Sequence, residues 1–298
     1  MSSWMLIFFY LFLGILFRKL DFLPDKSSNA LNKVIINLCL PALIINKMSH
    51  FEVNVDHFFS PILHWALLGL LFLTVLALSK ILNLDKKTTG CLLLLAPLGN
   101  TSFLGYPMIE SFFGQRYLVY GIIYDQLGSF LALSIYAPFI INFYSPKQEK
   151  RVTGLFKKMV FFPPFLALIF SFVFGKYLSH PKVEELLDPF SKGIIPLAMV
   201  SVGLQLDHRL RKYKGLIFLG LFLKMVMAPF LAFVITLSFG HLDPLKKVAI
   251  FQSGMPPMIT AAILAFEEDL NGELALSLMS WGVLLSFGTL PIIYFFLK

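Results

Sequence analysis

Apolar runs close to the length of a bilayer crossing recur along the whole chain, and no other feature restricts its fold so far. A helix needs about 20 mostly apolar residues to cross the hydrocarbon layer. Ten such stretches are predicted, at residues 4–18, 29–48, 60–82, 88–114, 117–143, 159–178, 187–205, 214–240, 245–268 and 273–297. Only 14% of the 298 residues are charged and 57% are hydrophobic, whereas a soluble domain carries roughly a quarter charged residues. Lipid is therefore the expected solvent. Backbone groups in lipid must find their partners within the element, so the expected class is all-α. The first run, "WMLIFFYLFLGILF", has neither a basic leader nor a small-residue cleavage site. It is predicted to be a retained helix and not a signal peptide.

The formal charge of +8 does not call for a nucleic-acid partner, because basic residues of membrane proteins collect in cytoplasmic loops. With ten spans, 15 of the 25 basic residues fall on one side and 8 on the other, leaving Lys33 and Lys224 within spans. That bias predicts both termini outside, in the plasma membrane (the inner membrane of a bacterium). The acidic loop "EEDLNGE" at 267–273 runs against the pattern, since it falls on the basic side. The polar stretch "YSPKQEKRVTG" at 144–154 reads as a linker. The expected organisation is a first repeat at 1–145, a cytoplasmic linker at 146–156 and a second repeat at 157–298.

The two halves resemble each other weakly. Lys19 and Pro24 recur with the same spacing as Lys176 and Pro181, Pro41 answers Pro196, and Asp85 of "LNLDKK" answers Asp243 of "HLDPLKK". A repeat of five spans inserts upside down relative to its twin, and inverted repeats with broken helices are characteristic of secondary transporters. Two such breaks stand at corresponding positions, "GNTSFLGYP" at 99–107 and "QSGMPPMIT" at 252–260. A broken helix in lipid leaves unpaired backbone groups, and that is tolerated only inside protein or beside a watery cavity. Two breaks shelter each other if they cross. Gly99, Gly105 and Gly254 are expected to permit close approach or unusual dihedrals. Pro107, Pro256 and Pro257 suit the first turn of a restarting half-helix. Asn100, Thr101 and Ser102 can cap that half-helix or bind a solute with the same groups. Each restarting half-helix directs roughly half a positive charge at the crossing, which favours an anion such as a carboxylate.

On these residues the chain resembles the auxin efflux carrier family. The resemblance lies in "GNTSFLGYPMIESFFG" (99–114), "IIYDQ" (122–126), "PLAMVSVGLQL" (196–206), "LKMVMAP" (223–229) and "MPPMITAAILA" (255–265), and it extends over essentially the whole chain. It implies ten helices in an inverted five-plus-five repeat, with helices four and nine crossing at the substrate site. It also implies alternating access of a small organic anion. Asn100 and Thr101 match the first crossover of the family, and Met255 with Pro256 the second. Ser102 stands where the family often has glycine, and the linker is short, as in bacterial-type members. The architecture is similar to that of bile acid:sodium symporters, so proton and sodium coupling both stay open.

Ionisable residues within spans are functional by default. Asp125, followed by Gln126, has three roles open to it: carrying a coupling proton, helping to bind a cation, or pairing with Lys224. Lys224 can attract an anion, snorkel or neutralise Asp125. Lys33, near a helix end, reads as a snorkelling side chain, and His64 and Glu110 read as interfacial. Asn37 and Asn46 flank Pro41 on the second span, and Ser201 and Gln205 follow Pro196 on the seventh. These groups either line a cavity or bond between helices; Asn46 reads as a helix-to-helix bond. Cys39 and Cys91 read as small buried hydrophobes. No metal spacing, nucleophile elbow or phosphate loop points to an enzyme or a cofactor. A channel and a membrane-embedded sensor are the competing classes, and a homodimer is compatible with the sequence.

Overall fold

The computed structural model describes residues 3–24, 26–52, 54–147, 161–206 and 213–298. Among these residues every regular element is helical and none is a strand. In chain order the helices are α1 (Ser3–Lys19), α2 (Ser27–Met48), α3 (Val55–Ile81), α4 (Lys86–Leu95), α5 (Gly105–Phe112) and α6 (Gln115–Tyr144). They continue with α7 (Pro163–Leu178), α8 (Pro181–Gln205), α9 (Lys214–Leu237), α10 (Pro244–Ser253), α11 (Ile259–Glu267) and α12 (Gly272–Leu297). Six of them, α2, α3, α6, α8, α9 and α12, are long and apolar enough to cross a membrane. Large apolar side chains such as Phe12, Phe230, Phe295 and Phe296 lie exposed on helix surfaces, as a lipid solvent requires. The expected linker lies outside the described residues from position 148 onward.

Both expected breaks exist. The stretch at 88–114 is two helices, α4 and α5, and the stretch at 245–268 is two more, α10 and α11. Each upstream helix opens on an aspartate. Asp85 accepts from the backbone N–H of Thr88 at 3.0 Å and from its hydroxyl at 2.6 Å. Asp243 accepts from the N–H of Lys246 at 2.8 Å. These are the two aspartates that correspond in the sequence halves, and both satisfy the open donors of a helix start.

Proline shapes several of the long helices. Its ring meets the carbonyl four residues earlier and it brings no N–H. In α2 the turn Ile35–Cys39 is widened into a π-turn just before Pro41. In α9 the π-turn Leu223–Met227 stands just before Pro229. In α8 the helix is interrupted at Gly193, three residues before Pro196. A third π-turn, Tyr124–Phe130 in α6, has no proline just behind it; the next in the helix is Pro138, too far along to reach the turn.

The helices form two compact units, and each draws on both sequence halves. The first holds α1, α2, α5, the start of α6, α7 and α8. Within it α1 packs against α8 so closely that a Cβ on Gly14 would lie 2.3 Å from the Val200 carbonyl oxygen, and one on Gly203 2.4 Å from that of Leu11. The second holds α3, α4, the rest of α6, and α9 to α12. Its core is the fully buried run Leu92–Leu95 of α4 together with Phe251 of α10 and Leu274 and Leu278 of α12.

Candidate functional site

The two interruptions meet inside the second unit. Gly99 and Pro257 form an isolated antiparallel bridge. The N–H of Asn100 donates to the Pro256 carbonyl at 2.8 Å, and the N–H of Met258 donates to the Leu98 carbonyl at 3.0 Å. Backbone freed by each break is thus satisfied by the other. Gly99, Asn100, Thr101, Gly254, Met255, Pro256 and Pro257 are all buried.

Three expectations about this stretch need correction. Pro256 and Pro257 do not open the restarting helix. They lie in the extended bridge, and α11 begins at Ile259 with Met258 at its cap. A residue followed by proline is pushed out of helical conformation, so the Pro-Pro pair stays extended for another residue. Asn100, Thr101 and Ser102 do not cap α5. Its cap position is Leu104, with no side-chain bond, and Ser102 contributes only its carbonyl, which accepts from the N–H of Tyr106 at 3.2 Å. Gly99 and Gly105 do not serve through unusual dihedrals either, since the glycines of positive φ among the described residues are Gly114 and Gly240. Gly99 serves through space: a Cβ there would lie 3.0 Å from both Cε and Nζ of Lys224. Gly105 is the first residue of α5, and Pro107 is in its first turn.

Around the bridge, polar side chains converge from distant parts of the sequence. The Thr101 hydroxyl donates to Asp125, and Gln126 Nε2 donates to the other carboxylate oxygen at 2.8 Å. Gln252 Nε2 donates to the Thr101 carbonyl at 3.0 Å. Lys224 is 2% exposed, and its ammonium is held by two carbonyls, Ser253 at 3.0 Å and Pro97 at 3.3 Å. Asp125 and Lys224 each occupy the second position of a π-turn, a feature frequent at functional sites. His64 is 2% exposed and stands edge-on to the Tyr124 ring at 5.1 Å between centroids. The sequence signal for it was weak, because a histidine near the start of a span usually marks the interface.

The first unit treats its polar residues differently. Asn37 is exposed, and its amide donates to the Lys33 carbonyl one turn back at 2.7 Å. Gln205 is half-buried and donates to the Ser201 carbonyl at 2.9 Å. Asn46 donates to Ser191 Oγ at 3.1 Å, a bond from α2 to α8. Glu110 accepts from Gln115 at 2.8 Å.

A lipid-solvated helical protein with two interrupted helices joined at a buried polar bridge has the form of a membrane transporter. The family model described as "membrane transport protein" matches residues 1–294, and the chain belongs to that family, the auxin efflux carrier family indicated by its motifs. It is a transporter and not an enzyme. It is 28% identical over 289 residues to an uncharacterized transporter of Methanothermobacter thermautotrophicus, covering 94% of this chain and 92% of that protein. A second uncharacterized transporter, from Methanocaldococcus jannaschii, is 28% identical over 272 residues, with 86% and 85% covered.

Proposed function

We infer that the protein is a secondary transporter for a small organic anion, working by alternating access around the two interrupted helices. The observation that carries this reading is a buried lysine, Lys224, pressed against the bridge at Gly99. A cation held in a low-dielectric interior is costly unless an opposite charge joins it. Neutral carbonyls compensate only in part, so a carboxylate arriving at the bridge gains from the ammonium and from the start of α11 together. The Asn100 side chain and the Thr101 backbone would orient it.

The reading includes ten spans in an inverted five-plus-five repeat, with α4–α5 and α10–α11 as the fourth and ninth, crossing where they bridge. The paired aspartate caps support it. Both termini would lie outside and the 146–156 linker in the cytoplasm. The acidic loop fits that arrangement, since Lys87 pairs with Asp269, Lys147 donates to the Glu267 carbonyl and Ser145 Oγ donates to the Glu268 carbonyl at 2.9 Å. The Asp269 carboxylate is therefore balanced by a basic residue assigned to the same side, and two backbone carbonyls of the loop accept from residues of that side. A single cysteine at Ser145 in a cysteine-free background should resist an impermeant reagent on intact cells, and ready labelling would reverse the orientation.

A purified-protein thermal-shift screen tests the substrate class, because a ligand stabilises the folded state according to its occupancy. Mono- or dicarboxylates should raise the melting temperature, and their uncharged amides should not. Equal stabilisation by acid and amide would remove the anion reading. A second reading, a cation-coupled carrier like the bile acid:sodium symporters, is favoured by the buried Gln126 Oε1 and Gln252 Oε1, which have no hydrogen-bond partner. Sodium dependence of uptake at fixed pH decides between them.

A further inference from the structure

The second unit carries a groove between α9 and α12 that the bridge does not use. Its volume is about 410 Å³, within the size range of small-molecule sites. Phe218, Phe222 and Val226 of α9 line one side, and Trp281 and Leu285 of α12 the other; all five are exposed. Gly220 lets the two helices approach, since a Cβ there would lie 2.7 Å from Leu278 Cδ2. One end of the groove is Lys214, the first residue of α9. Lys214 is exposed, and none of the ion pairs among the described residues involves it. The other end reaches the π-turn Leu223–Met227, whose Met225 and Val226 line it. Lys224, on the same turn, donates to the Ser253 and Pro97 carbonyls beside the bridge.

The dimensions of the groove select its occupant. From Lys214 to Val226 the α9 wall rises about 18 Å at the helical rise. Half of the hydrocarbon layer is about 15 Å thick. α9 is long and apolar enough to cross a membrane, so its first residue lies at headgroup level and the groove ends near the midplane. That is the form of one leaflet: a cation at the mouth and apolar walls below it. A second copy of the chain would bring a helix along the whole span of 24 residues, about 36 Å, twice the length of the groove. We propose that the groove seats one acyl chain of an anionic phospholipid, with the headgroup phosphate paired to Lys214. Basic residues at the ends of spans attract anionic headgroups, and a lysine at the mouth of an apolar groove ties that attraction to one place. The seated chain packs on Met225 and Val226 and so braces the turn that presents Lys224 to the bridge. The site does not depend on which solute the bridge accepts.

The experiment adds phosphatidylglycerol or phosphatidylcholine, both with oleoyl chains, to delipidated protein in detergent. Binding is read by native mass spectrometry and by the thermal midpoint, because a ligand stabilises the folded state according to its occupancy. Wild type should retain one phosphatidylglycerol per chain and melt higher with it than with phosphatidylcholine. The amides of 223–227 should exchange more slowly with phosphatidylglycerol bound. Lys214→Gln should lose the preference between the two lipids. Leu285→Trp, which fills the groove, should lose the stabilisation by both; if it fails to fold, Val226→Phe replaces it. Equal effects of the two lipids on wild type overturn the proposal. So does a preference kept by Lys214→Gln, or unchanged exchange at 223–227. If Leu285→Trp turns a dimer into a monomer by light scattering and still responds to lipid as wild type does, the groove is a face between two copies and the proposal falls.

Discussion

Asn37 and Gln205 of the first unit and Gln252 at the bridge corner of the second are all amides within apolar helices, yet they are satisfied by opposite means. Asn37 and Gln205 turn back onto carbonyls four residues earlier in their own helices. At the bridge, Gln252 reaches a carbonyl 151 positions away and Thr101 a carboxylate 24 away. An intact helix offers each polar side chain a local acceptor one turn back. A broken helix offers its own backbone groups as the problem to be solved, so its polar residues are drawn into a network across elements.

Pro256→Leu attacks that contrast most directly and should have the largest effect. Leucine restores an N–H at 256, and with Pro257→Leu beside it the conformational restraint is removed, so residues 251–259 can join α10 to α11 as one helix. Uptake should be abolished while membrane insertion, followed by fractionation, stays normal. Retained uptake would mean that the interruption is only a packing kink. Asp125→Asn comes next. Replacing a charged acceptor by a neutral one should cost about 1.5–3 kcal/mol of stability, read as a lower thermal midpoint, with Thr101 and Gln126 losing their charged partner. Asn100→Ala should weaken carboxylate binding by about 1–3 kcal/mol with the fold preserved, and unaltered binding would move the site elsewhere.

Asp85→Ala removes a cap at the start of α4 and should cost about 1 kcal/mol. Burial pushes the Asp85 carboxyl up, but the Thr88 hydroxyl and N–H outweigh it, and the group is held below the ordinary carboxylate range. A depressed carboxyl contributes stability above its unfolded value and loses it as pH falls through the folded one. The difference between wild type and Asp85→Ala should therefore shrink under acid, and a constant difference would refute the assignment. Asn37→Ala and Gln205→Ala should do least, at about 0.6 kcal/mol or below, with carboxylate binding unchanged. A large binding loss in either would erase the contrast between the two regions.

Much of the fold could be read from residue types. The breaks were marked by Gly99, Asn100 and the Pro256–Pro257 pair, and the aspartate caps by their matched sequence surroundings. The detail around them could not be read in the same way. A Pro-Pro pair carries the signs of a helix start, and only the bridge hydrogen bonds show that it belongs to the extended segment. The π-turn at Tyr124–Phe130 has no residue that announces it, because a widened turn comes from tertiary packing and not from local preference. The burial of His64 could not be read, because distance from a span's end says nothing about which face the helix buries. Lys224 and Asp125 were visible as charges in apolar runs, but their surroundings depend on segments far away in the chain.

The contact of Gly14 with Gly203 has a mechanical consequence. Where backbone rests on backbone, no side chain is left to change rotamer and absorb a shift, so α1 and α8 cannot slide past each other by a fraction of a turn. Small residues at such a crossing act as a rivet between the two rods. Any rotation of α8 is transmitted to α1 undiminished, and a spin label on the outer face of α1 reports the movement of a helix it does not belong to.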